Sequence, residues 1–107
     1  GFEDPAAVAA ARVDLERWQV NHAVIAESLE RSPALAEMVP LSEALAEVAE
    51  IGIEALDMAS AGRTPAEGWL ESRLERLDRA MAPHGEAELV VIEPVRALVI
   101  AASQDRR

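Results

Sequence analysis

Cysteine and tyrosine are both missing from this chain, and aromatic residues make up only 3% of its 107 positions. The first absence excludes disulfides and thiolate chemistry, yet it leaves the compartment open, because many exported proteins also lack cysteine. No apolar run approaches the roughly 18 to 20 residues that cross a bilayer, and the start has no basic-then-apolar signal pattern. Bases are scarce as well. Ten stand against twenty acids, and the formal net charge of −10 repels phosphate backbones and anionic membranes at long range. Neither nucleic acid nor a membrane is therefore expected as a partner. Half the residues are apolar, mostly alanine and leucine, the composition of helices packed closely through small and unbranched side chains. A chain of this length is one domain, 1–107, able to bury about two thirds of its unfolded surface.

Asp4 followed by Pro5 is an N-cap and first-turn pair, and it predicts a helix running to about Arg31. Along it Ala11, Leu15, Trp18, His22, Ile25 and Leu29 recur at steps of four and three, the seam of a helix that faces other helices. Ser32 and Pro33 break the pattern, and Pro33 to Met38 reads as a short connecting helical turn. A second helix, about Leu41 to Ala61, carries the seam Leu41, Leu45, Val48, Gly52, Ala55 and Ala59. Glu43, Glu47, Glu50, Glu54 and Asp57 lie on its opposite side, an acidic stripe that no base interrupts. Gly62 then supplies the left-handed residue that ends a helix. Thr64, Pro65 and Glu67 follow as N-cap, first-turn proline and capping-box acid, so a third helix is predicted over about Pro65 to Met81, burying Leu70, Leu74, Leu77 and Met81.

After the turn Pro83, His84 and Gly85, the segment Leu89 to Ile92 has two readings. Four apolar residues before a proline can be a short buried strand. The spacing of Val91, Val95, Leu98 and Ala102 favours instead a fourth helix from about Glu86 to Ser103, kinked at Pro94. The expected fold is all-α, an antiparallel up-down-up-down four-helix bundle with a short connecting turn.

Catalytic and ligand-binding patterns are not found. The carboxylate-bridged metals of helical bundles need Glu-x-x-His pairs, but Gln19 precedes His22 and Met81 precedes His84 at that spacing. His22 reads as a histidine at the core edge with one or two hydrogen-bond partners, and His84 as a surface turn residue. The serines have no glycine-rich elbow, and the scattered glycines form no phosphate loop. No catalytic residue, cofactor or metal is assigned. Trp18 belongs to the first seam. Trp69, in the opening turn of the third helix, is a candidate for partial core or an interface, and Gly52 for a close helix approach. The stripe Glu43, Glu47, Glu50, Glu54 and Asp57 reads first as a solvated face and second as a docking surface for a basic partner.

The stretch PLSEALAEVAEIGIEALDMASAGRTPAEGW from Pro40 to Trp69, continued by LVVIEPVRALVIAA from Leu89 to Ala102, resembles the helical region that follows the catalytic barrel in some bacterial glycoside hydrolase family 20 enzymes, the β-N-acetylhexosaminidases. ERWQVNHAVIAESLERSPALAEMVPLSEAL, upstream, fits the same pattern. The resemblance implies an accessory bundle that packs on its catalytic barrel or on a second subunit, and a periplasmic or extracellular location. The family's His-x-Gly-Gly-Asp-Glu-like catalytic motif has no counterpart: Glu3 and Asp4 are adjacent but in the reverse order. Gly1 reads as a cloning remnant, so the 107 residues are expected to be an excised C-terminal piece of a longer protein. The rival expectation is a free-standing helical interaction or dimerisation module.

Overall fold

The structure, a computed structural model, describes residues 4–84 and 89–104. It is all-α: helices α1 (Pro5–Glu30), α2 (Val39–Ser60), α3 (Trp69–Met81) and α4 (Leu89–Gln104), with no strand among the described residues. Asp4 caps α1 as expected. Its extended backbone frees Oδ1 to accept from the N–H groups of Ala6 at 3.0 Å and Ala7 at 3.4 Å, two of the donors that a helix start leaves without partners. Ser32 takes an extended conformation ahead of Pro33, and Pro33–Met38 forms the connecting turn, wound as a 3-10 helix. Gly62, at φ 67°, closes α2. The N–H of Gly62 donates to the Ala59 carbonyl and that of Arg63 to the Met58 carbonyl, so two terminal carbonyls are satisfied across a left-handed residue.

The third helix begins later than the capping-box pattern predicts. Residues 63–66 are not helical, and α3 starts at Trp69 behind Gly68, which sits at φ 82°. A left-handed residue cannot lie inside a right-handed helix, so Gly68 interrupts the run announced by Thr64, Pro65 and Glu67. The Trp69 N–H donates to Ala66 and the Ser72 N–H to Gly68, which makes Gly68 the true cap. At the other end of the chain, Leu89 to Ile92 are helical, and Pro94 lies inside α4. The expected start at Glu86 falls outside the described residues.

α2 touches all three other helices, while α1 lies along α2 and the connecting turn. Arg12 meets Asp57 and Leu15 meets Gly52: as the number rises along α1 it falls along α2, so the two run antiparallel. The same holds for α2 and α3, where Arg73 meets Glu54 and Arg76 meets Glu47. The core is formed by Val48, Ile51, Ala55 and Leu56 of α2, Leu77 and Met81 of α3, and Ile92, Val95 and Val99 of α4, all essentially without solvent exposure. Each large aliphatic side chain removed from water in this way contributes about 1.5–3 kcal/mol.

Gly52 sits between helices. A Cβ there would lie 2.9 Å from Leu15 Cδ1 and 3.5 Å from Val95 Cγ1, so its missing side chain lets α1 approach α2 beside α4. In α1, Ala26 is buried and Ile25 is 43% exposed. The seam advances by four residues from His22 rather than by three, because 3.6 residues per turn drift away from a strict four-three count. Leu45 and Leu74 are only half-buried. The molecule measures 50 × 26 × 21 Å with a Cα radius of gyration of 14.7 Å, more elongated than the ~13 Å of a compact domain of this length.

Candidate functional site

The acidic stripe of α2 is less solvated than its spacing suggests. Arg73 of α3 donates from Nε to Glu54 Oε1 at 2.5 Å and from Nη2 to Oε2 at 3.0 Å, a two-pronged pairing that matches the planar guanidinium to a carboxylate. Arg12 of α1 meets Asp57 the same way, at 2.6 and 3.1 Å, and it also pairs with Glu16. Arg76 reaches Glu47 Oε1 at 3.1 and 3.3 Å. Three of the five acids thus act as anchors for neighbouring helices. Glu43 and Glu50 remain exposed. Every base in the chain is an arginine, so each pairing can use the fork.

These contacts set the local protonation. The hydrogen bond from Arg73 holds the Glu54 carboxyl below its ordinary value against the opposing effect of burial. Arg12 does the same for Asp57. The two guanidiniums are raised in turn by their carboxylate partners, as expected when an opposite charge favours the ionised form.

Trp69 is 7% exposed and belongs to the core, leaving little of the indole for a partner to touch. The Arg73 guanidinium lies over its ring at 5.7 Å from the centroid, within cation–π range. The indole N–H adds a last, small pull toward the ionised Glu54, although it falls short of hydrogen-bonding geometry.

Toward the other end of α2 the stripe becomes the floor of an open groove of ≈ 590 Å³. Glu43, Glu47 and Glu50 face Glu27 and Glu30 of α1 across it, with Arg76 from α3 on the far wall. Among the described residues no group of three or more His, Cys, Asp or Glu side chains could hold a metal ion, so the carboxylates line the groove without converging on a point.

His22 differs from expectation. Its Nδ1 is buried and has no hydrogen-bond partner among the described residues; the ring meets Trp18 edge-on, with centroids 6.1 Å apart. Burial lowers its pKa, since a charged imidazolium loses hydration there. His84 lies in a short 3-10 turn at Ala82–His84 and is half-buried.

The feature that seam counting overlooked is the outer side of α1. Val13, Val20 and Val24 are 44%, 59% and 55% exposed, and a shallow depression lined by Val13, Glu16, Arg17, Val20 and Asn21 runs between them. Its signal was present in the sequence: α1 is apolar on two sides, whereas a helix with one buried face needs only one. Among the described residues no helix is long and apolar enough to cross a membrane.

Fold and site together define an all-α protein organised around one central helix, tied by arginine–carboxylate clamps and bearing an apolar outer face. No known protein family, curated protein or solved structure matches the chain.

Proposed function

We propose that this protein works by association: it is a helical docking domain with no chemistry of its own. The observation that carries this reading is the outer face of α1, where three valines stand in solvent at helical spacing. Exposed apolar residues in a row mark interaction surfaces, whereas single ones are ordinary. The net charge of −10 directs the partnership toward protein rather than nucleic acid or membrane.

The family resemblance suggests the catalytic barrel of a β-N-acetylhexosaminidase as the larger partner, with this domain supplying an intramolecular or subunit interface. That assignment rests on the resemblance alone. Two measurements test it. The chain alone should not release a chromogenic leaving group from an N-acetylglucosaminide, and it should bind a family 20 barrel that lacks its helical region in titration calorimetry. Turnover abolished by changing a carboxylate of this chain would overturn the docking role. Failure to bind the barrel would remove the hexosaminidase and leave the free-standing module.

A further inference from the structure

We propose that the outer face of α1 is the interface of a two-fold symmetric homodimer, in which two copies lay their first helices antiparallel about an axis near residue 15. The inference rests on the docking reading above and names the partner as a second copy of this chain.

Ala6, Ala10, Val13, Arg17, Val20 and Val24 follow one another at steps of four, three, four, three and four, and all six are exposed. An average step of 3.5 keeps a seam facing another helix along its length. Leu15, on the other side of α1, points to Gly52 of α2, so the seam faces away from the chain's own core. A self-association face must avoid the repulsion between two strongly acidic molecules. This one does, because residues 5–26 carry Arg12 and Arg17 against Asp14 and Glu16, a formal charge of zero in a chain of −10.

Arg17 fixes the direction. Side by side in parallel, each Arg17 would meet its own copy, two like charges in an apolar seam. Antiparallel about residue 15, Ala6 comes level with Val24, Ala10 with Val20, and Arg17 with Val13, where its long side chain reaches the Asp14 of the other copy. Glu16 is already engaged by Arg12, whereas Asp14 and Arg17 are both exposed and form no ion pair among the described residues. The symmetry creates two such Arg17–Asp14 contacts, as a self-complementary interface requires.

Light scattering on the full chain tests the partner, and engineered cysteines test the direction, since the chain has none of its own. The expected mass is twice the 11.5 kDa of one chain. An Ala6→Cys, Val24→Cys double variant should cross-link on oxidation, whereas Val24→Cys alone should not. Arg17→Asp and Asp14→Arg should each lose the dimer while keeping the helical circular dichroism, and mixing the two variants should restore it. A monomeric wild-type chain at sub-millimolar concentration would overturn the second-copy inference and leave barrel binding to its own experiment. Efficient cross-linking of Val24→Cys alone would overturn the antiparallel arrangement. A dimer indifferent to both charge changes would overturn the Arg17–Asp14 contact. If a charge variant fails to fold, the cysteine pairs at exposed positions still decide the arrangement.

Discussion

Arg73 holds Glu54 with both prongs of its guanidinium and spreads the same planar group over the ring of Trp69. One side chain thereby ties the first turns of α3 to the middle of α2 and covers a core indole. Lysine would keep the charge but lose the fork and the stacking. Arg73→Lys should lower unfolding stability by about 1 kcal/mol, at the upper end for a partly exposed ion pair. Glu54→Gln should act similarly, and the double variant should lose less than the sum of the two. Full additivity in denaturant titrations would show that the pair is not coupled.

Acid should destabilise the fold in two windows. His22 has its pKa depressed by burial, so the folded state prefers the neutral ring. Its contribution is complete above the unfolded value of 6.5 and declines as pH falls below it. Glu54 and Asp57, depressed by their arginines, contribute fully above the unfolded values of 4.5 and 3.8 and lose that contribution as pH falls through their lower folded values. Thermal melts from pH 8 to 3 should show a shallow decline followed by a steeper one. His22→Leu should remove the first and leave the second; if the upper decline persists, another group causes it.

The connection between α2 and α3 ranks its residues in an order that capping rules alone would invert. Gly62 and Gly68 hold left-handed backbone, so replacing either by alanine should cost about 1–2 kcal/mol. Thr64 is exposed and lies outside α3, and Thr64→Ala should change stability by less than about 0.5 kcal/mol. A larger loss at Thr64 than at Gly68 would mean that the third helix starts at Pro65 after all.

Among the leucines, Leu56 and Leu77 are fully buried and Leu45 is not. Leu56→Ala or Leu77→Ala should therefore destabilise by about 2–5 kcal/mol, and Leu45→Ala by less. Equal denaturant midpoints for all three would contradict the packing around α2.

The helices themselves were legible because their signals are local. Asp4-Pro5, Ser32-Pro33 and Gly62 each act on the backbone within a few residues, and α1, the connecting turn and α2 lie where those residues put them. Gly68 misled because Thr64, Pro65 and Glu67 form a complete start signal, and only the backbone angle of a later glycine cancels it. The acidic stripe misled for a different reason. Glu54 and Asp57 face solvent when their own helix is read alone; their partners, Arg73 and Arg12, lie 19 and 45 residues away on other helices. Ile25 and Ala26 exchanged places because helical periodicity accumulates phase over a 26-residue helix.

The dependence of α1 on α2 has a kinetic side. α3 and α4 pack on each other as well as on α2, whereas α1 packs mainly on α2 and on the connecting turn Pro33–Met38 that joins the two. Of its 26 residues Leu15 and Ala26 alone are buried, so the first helix is expected to open ahead of the other three, as a separate unit. Its amide hydrogens should exchange with solvent ahead of those of α2, at a rate set by release of the Leu15 and Arg12 contacts. Whatever grips its outer face would slow that exchange throughout α1, so the chain carries in its first helix a built-in reporter of whether it is alone or bound.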